Sequence, residues 1–324
     1  MIRSRQGKRL SLVTPMHDEA PALDAFFARV DAAAAGLGVE LEIVCVDDGS
    51  RDDTYERLAA RAAADPRIRL IGLSRNFGKE AALTAGLDAA SGDMVVPIDA
   101  DLQDPPELIA EFLALWEQGY DVVYGVRADR ASDSAAKRVT AGAFYRVFNL
   151  VSDHPIPASA GDFRLMDRQV VEALKRLPER NRFMKGLFAW VGFRQVGVPY
   201  VRPPRSAGTS SWGWLKLWRF AVDGITAFTT APLRVWSVVG VLAALAAILF
   251  GLVIIVRVLV IGRDVPGYAS LMVVLLFGFA LQMIALGVLG EYVGRMYEEV
   301  KRRPIYMVRR KAGFGDEPGF GDKP

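Results

Sequence analysis

Met94-Val95-Val96-Pro97-Ile98-Asp99-Ala100-Asp101-Leu102-Gln103-Asp104 runs from a short apolar stretch straight into a cluster of acids. An apolar run closed by polar residues, with a helical pattern following over Pro106–Gln118, predicts a buried strand that delivers its acids to one edge of a sheet. The same unit recurs upstream and downstream. Strands are expected at Leu10–Thr14, Leu41–Val46, Ile68–Leu73, Met94–Ile98 and Asp121–Tyr124. Helices are expected between them at Ala20–Ala35, Asp53–Ala64 and Lys79–Ala90. This alternation predicts an α/β fold, an open and mainly parallel sheet with helices on both faces. Such sheets bind ligands beyond the carboxyl ends of their strands, so the residues after each strand are the candidate site.

Those residues are polar. The first strand ends in Pro15-Met16-His17-Asp18-Glu19, the second in Asp47-Asp48-Gly49-Ser50, the third in Ser74-Arg75-Asn76 and the fifth in Gly125-Val126-Arg127. Acids converging on one sheet edge repel unless a cation sits among them, and oxygen ligands without His or Cys favour Mg²⁺ or Mn²⁺. Arg75 and Arg127 are candidates to hold phosphate charge. Taken singly, each motif has a plainer reading. Asp-x-Asp is a common solvated turn, and Asp48-Gly49-Ser50 reads equally as a turn and helix cap. His17 reads as a wall residue and Cys45 as core. Neither Gly-x-Gly-x-x-Gly after the first strand nor a phosphate loop ending in Gly-Lys-Ser/Thr is present.

Composition narrows the classes. The 324 residues allow about two structural units. With 52% apolar and 24% charged residues, the chain is too apolar for disorder and too charged for a many-span transporter. One cysteine excludes a disulfide framework, and two histidines, His17 and His154, exclude a His-rich metal site. A net charge of +3 gives no reason to expect nucleic acid as a partner.

The mean hydropathy of +0.20 points to lipid contact, and two stretches account for it. Val235–Val256 and Ser270–Gly290 carry no charged residue, and each reaches the ~20 residues a span needs. Only Arg257 to Ala269 separates them, which predicts a two-helix transmembrane hairpin; a pair of buried core helices is the alternative. Arg202, Arg205, Lys216, Arg219 and Arg234 precede the first span, and Arg295, Lys301, Arg302, Arg303, Arg309, Arg310 and Lys311 follow the second. The positive-inside rule then places both termini in the cytosol. No apolar segment follows the basic start, so no signal peptide is expected. Trp212, Trp214 and Trp218, with Lys216 and Arg219, make 211–234 an expected amphipathic juxtamembrane helix lying among headgroups. The expected order is therefore a cytosolic domain over 1–210, that helix, the spans within 235–292, and a basic segment with a disordered tail over 293–324.

As an ordered set, Pro15 to Glu19, Asp47 to Ser50, Asn76-Phe77-Gly78-Lys79 and Asp99 to Asp104 resemble the inverting family 2 glycosyltransferases of GT-A fold. Gly161-Asp162-Phe163-Arg164-Leu165, Arg205-Ser206-Ala207-Gly208-Thr209-Ser210 and the two spans resemble the polyprenyl-phosphate branch. That branch includes dolichol-phosphate mannose synthase and the bacterial bactoprenol glucosyltransferases. The resemblance covers roughly residues 10–300. It implies transfer of a sugar, glucose first, from a UDP- or GDP-linked donor to polyprenyl phosphate at the cytoplasmic membrane, with Mg²⁺ or Mn²⁺ as cofactor.

Residue by residue, the resemblance implies that Pro15, His17, Glu19, Val46 and Asp48 line the nucleoside pocket. Asp99 and Ala100 lie along the nucleotide sugar, and Arg127 and Arg205 contact phosphates. Asp99, Asp101 and Gln103 hold the metal, Asp162 and Asp101 act in catalysis, and Arg130, Arg138 and Arg164 face the acceptor phosphate. Asp162 also reads as a helix cap ahead of Leu165–Leu177. The chain departs from the family at His17-Asp18, where Tyr-Asn is common, and at Ser211, where Lys is common. The bacterial relatives imply a tetramer. A processive polysaccharide synthase and a non-catalytic membrane scaffold are the competing readings. The first wants a Gln-x-x-Arg-Trp motif and more spans, and the second predicts damaged acidic motifs.

Overall fold

The computed structural model describes residues 2–128, 160–177, 179–180, 182–201, 226, 229–261 and 267–314. Arg130, Arg138, Arg205 and most of the expected juxtamembrane helix lie outside the described residues. The described strands are β1 (Arg9–Met16), β2 (Glu40–Asp47), β3 (Ile68–Leu73), β4 (Met94–Pro97), β5 (Val122–Arg127), β6 (Ala160–Asp167), β7 (Gln195–Tyr200) and β8 (Val308–Ala312). The helices are α1 (Leu23–Ala34), α2 (Thr54–Ala64), α3 (Lys79–Ala89), α4 (Ile109–Glu117), α5 (Arg168–Lys175), α6 (Met184–Trp190), α7 (Ala231–Ile261) and α8 (Tyr268–Lys301).

The eight strands form one sheet in the order β7-β5-β6-β4-β1-β2-β3-β8. β1 pairs in parallel with β2 and β4, β2 with β3, and β5 with β7. β6 runs antiparallel between β4 and β5, and β8 antiparallel along β3. Central strands read as near-continuous apolar runs because both faces are covered. Leu10, Leu12, Ile43, Cys45 and Leu70 pack under α1, α2 and α4. Val13, Val44, Val46, Ile71 and Val95 pack under α3, α5 and α6 on the other face. The α3 contact is close: a Cβ on Gly86 would sit 2.3 Å from Val13 Cγ1. Glycine there lets the helix backbone approach the sheet.

All five expected strands and all four expected helices are present within a few residues of their expected bounds. The stretch from Leu165 differs. The alternative reading of Asp162 as a cap ahead of a helix over Leu165–Leu177 does not hold, because Ala160–Asp167 is a strand and the helix behind it begins at Arg168. Its cap is Asp167, whose carboxylate accepts from Gln169 N–H at 3.0 Å. The physical reason is the alternation Phe163/Leu165 toward one core layer and Met166 toward the other, which is a strand period.

The expected spans Val235–Val256 and Ser270–Gly290 fall inside α7 and α8. Ala231–Arg257 and Ser270–Lys301 are long and apolar enough to cross a membrane, with mean hydropathy 3.0 and 2.5. Their apolar side chains face outward rather than into the protein, which a buried core pair would not do. Beyond α8 the chain returns to the sheet. Arg180 N–H donates to Glu299 Oε1 at 2.7 Å, its Nε to Arg303 O at 2.6 Å, and Tyr306 OH to Asp88 at 2.9 Å. β8 then closes the β3 edge, so part of the segment read as a basic tail is structural.

Candidate active site

The loops after β1 and β2 latch together. Asp18 N–H donates to Ser50 Oγ at 2.9 Å, Arg51 N–H to Asp18 Oδ1 at 2.7 Å, and Glu19 N–H to Thr54 Oγ1 at 3.0 Å. Asp18 adopts φ +54°, a conformation Asp tolerates better than most residues. His17 Nδ1 lies 3.0 Å from Asp48 O, which fixes the ring against the β2 loop as a wall. Pro15 sits half-buried at the end of β1. Val46 is fully buried beneath α3, so its side chain contributes to the core, not to a pocket wall.

Asp48 braces the next loop. Its carboxylate accepts from Phe77 N–H at 2.7 Å and Gly78 N–H at 2.9 Å, the residues that lead into α3. Burial nonetheless pushes its carboxyl above the usual range, against the pull of those two donors. Gly49 makes this possible: it has φ +65°, and a Cβ there would lie 2.5 Å from Arg75 C. Arg75 itself stacks on Phe77 at 4.0 Å.

The loop after β4 carries the acids outward. Ala100 is buried, Asp99 is 29% exposed at its side chain, and Leu102 takes φ +57° to turn the chain. Gln103 N–H donates to the Asp101 carboxylate at 3.1 Å, folding the turn around that acid. Asp104 points inward and accepts from Tyr200 OH at 2.8 Å, tying the loop to β7. Burial, then the nearby Asp104, pushes the Tyr200 phenol up to about 12. Arg127 ends β5 beside Gly161, with its Nε buried and without a hydrogen-bond partner among the described residues.

Lys79 joins the two halves of the site. Its ammonium lies 2.8 Å from Asp99 and 3.0 Å from Asp162, across from β4 to β6. Burial alone would lower this ammonium's pKa, but the carboxylates of Asp162 and Asp99 hold it above the ordinary range. Asp162 is held well below the usual carboxylate range: burial opposes ionisation, and the charges of Lys79 and Lys185 outweigh it. Glu80 beside it is pushed up to about 8 by burial and by Asp162. Arg164 stands behind Asp162, 4% exposed, stacked 3.8 Å over Phe188 and donating to Gly161 O at 2.7 Å. Its guanidinium is thus committed to the interior.

The structure therefore brings His17, Glu19, Asp48, Asp99, Asp101, Gln103, Arg127 and Asp162 to the carboxyl edge of the parallel strands. Sequence reasoning assigned no role to Lys79, Glu80 or Lys185. Lys79 was visible only as part of a motif, because its partners come from strands 20 and 83 residues onward that meet only in the folded sheet.

Residues 11–175 match the glycosyl transferase family 2. The chain is 50% identical over 299 residues to an uncharacterized glycosyltransferase of Synechocystis sp., covering 92% of this chain and 94% of that one. It is 47% identical over 302 residues to the SfII prophage-derived bactoprenol glucosyl transferase of Shigella flexneri, covering 93% and 98%. Among solved structures, mannosyl-3-phosphoglycerate synthase from Rubrobacter xylanophilus aligns with a TM-score of 0.47 at 20% identity, covering 68% of this chain and 72% of that one. The edge-clustered acids thus belong to a glycosyltransferase. The chain is a member of glycosyl transferase family 2.

Proposed function

We propose that the protein transfers glucose from UDP-glucose to undecaprenyl or another polyprenyl phosphate at the cytoplasmic membrane face, with inversion at C1. The observation that carries this reading is the acidic edge spanned by Asp99, Asp101 and Asp162 in a chain that also has two membrane-length apolar helices. Near-full-length likeness to bactoprenol glucosyl transferases supports the acceptor and the sugar.

The donor set suits a hard divalent cation. Asp99, Asp101 and Gln103 offer carboxylate and amide oxygens, and no described group of three or more His, Cys, Asp or Glu residues is arranged to enclose an ion. Such a partial set fits Mg²⁺ or Mn²⁺ that takes its other ligands from water and substrate phosphates. When bound, the ion neutralises charge developing on the departing nucleoside diphosphate. The Asp48-braced loops after β1 and β2 form the wall for the nucleoside, and Arg127 reaches toward phosphate oxygens.

The acceptor needs little help from a base. A phosphate monoester has a second pKa of ~6 and is largely dianionic at neutral pH. Asp162, held ionised by Lys79 and Lys185, is a weak proton acceptor and suits an orienting role. Arg164, buried against Phe188, acts by fixing the backbone that carries Asp162. In-line attack of the phosphate oxygen on C1, with departure of the diphosphate on the opposite face, inverts the anomeric centre.

We place both termini in the cytosol, with the segment between α7 and α8 outside. Cys45 is fully buried and its thiol is pushed up to about 12, so it stays silent to thiol reagents. Asp264→Cys should therefore label from outside intact cells with an impermeant maleimide; labelling only after permeabilisation would reverse the orientation. The activity is tested by supplying labelled UDP- and GDP-sugars with undecaprenyl phosphate to the purified protein in detergent, with and without Mn²⁺. Metal-dependent glucose label in an acid-labile lipid is expected from UDP-glucose. Absence of lipid label from every donor would overturn the proposal.

A further inference from the structure

The Asp99 carboxylate is claimed twice. Lys79 Nζ lies 2.8 Å from both of its oxygens, and the proposed function places a divalent cation on the same side chain. A monocation and a dication on one carboxylate repel each other, and their repulsion over a few ångströms is large in a partly desolvated site. The lysine has room to respond. Its side chain is 45% exposed, its four-carbon stem is flexible, and a second anchor, Asp162, waits at 3.0 Å.

We propose that Lys79 is a positioning residue that competes with the divalent cation for Asp99 and, when the cation enters, is left on Asp162, holding that carboxylate toward the reacting centre. This rests on the metal-assisted transfer proposed above. The exchange couples the donor half of the site, on β4, to the acceptor half, on β6. The lysine thereby weakens metal binding in the absence of donor while keeping Asp162 ordered for the transfer. Three other features fit. Lys79 is the first residue of α3, set by the Asp48 brace at Phe77 and Gly78, so its Cα is fixed and any exchange of partners is made by its flexible stem. Asp162 has further positive neighbours in Lys185 and Arg164, so loss of Lys79 does not leave it as an isolated buried charge. Asp162 Oδ1 is buried without a hydrogen-bond partner among the described residues, so its orientation depends on what holds the other oxygen.

The test compares full-length wild type, Lys79→Gln and Lys79→Arg in detergent. Mn²⁺ affinity is read without donor from the electron paramagnetic resonance of free Mn²⁺, and kcat and donor KM from lipid-linked glucose formation. Lys79→Gln should bind Mn²⁺ about tenfold more tightly, as expected for removing one like charge near the ion. Its kcat should fall about a hundredfold while donor KM moves less than about threefold, the pattern of lost orientation. Lys79→Arg should return Mn²⁺ affinity to the wild-type value. A purely structural lesion would weaken Mn²⁺ binding, so unchanged or weaker binding by Lys79→Gln overturns the inference while leaving the metal-assisted reading intact. Lys79→Met replaces Lys79→Gln should the latter fail to fold. No saturable Mn²⁺ binding by the wild type, with or without UDP, would overturn the metal-assisted reading and this inference together.

Discussion

Gly49 is the residue on which the nucleoside-side loops turn. Its φ of +65° and the 2.5 Å approach of a would-be Cβ to Arg75 C leave no low-energy conformation for a larger residue. Gly49→Ala should cost at least about 2 kcal/mol and lower the denaturant midpoint without changing the slope; a loss under about 0.5 kcal/mol would mean the two loops move apart freely. The acids of this site were legible because they follow apolar runs. Their pairings were not. Asp48 binds the backbone N–H groups of Phe77 and Gly78, which no side-chain motif records. Lys79 bridges Asp99 and Asp162, an arrangement that needs β6 placed beside β4.

Elements were readable where period and length agreed. Strands β1 to β5 and helices α1 to α4 announce themselves by buried runs and by turn residues between them. β6 is harder to place, because Asp162 suits a helix cap as well as a site acid; the strand alternation after it decides, and the cap of the following helix is Asp167. β8, Val-Arg-Arg-Lys-Ala, looks like a cytosolic basic flank. It is an edge strand, where charged residues are tolerated because one side faces water. Glu42, on β2, ties β1, β3 and the loop before β4 at the opposite end of the sheet. Buried at 4% exposure, it accepts from Ser11 Oγ, from Ser91 N–H at 2.9 Å and Ser91 Oγ at 2.7 Å, and pairs with Arg69 at 3.1 Å. Burial alone would raise its pKa, but those donors and Arg69 bring it below the usual value. A folded-state pKa below the unfolded one gives stability that is present above the unfolded value, ~4.3, and fades as pH falls through the folded value. Glu42→Gln should therefore be about 1–3 kcal/mol less stable at neutral pH, with the gap from wild type shrinking below about pH 4. A gap that does not change with pH would show that Glu42 is not ionised in the fold.

At the scale of the whole molecule, the chain leaves the sheet, supplies two apolar helices, and returns to complete the sheet's edge. Arg180 bonded to Glu299 and Arg303, Tyr306 bonded to Asp88, and β8 paired with β3 link the end of α8 to the catalytic domain. That closure joins the chain on both sides of the apolar helices to one sheet. An enzyme and a scaffold would both keep this closure, and only the enzyme needs the acids. Asp101 is the residue on which the readings differ most. The decisive measurement is glucose transfer from labelled UDP-glucose to undecaprenyl phosphate in Mn²⁺, wild type against Asp101→Ala, both shown folded by their melting transitions. Asp101→Ala should lose at least about a thousandfold in kcat/KM. Transfer within about tenfold of wild type would contradict the enzyme reading.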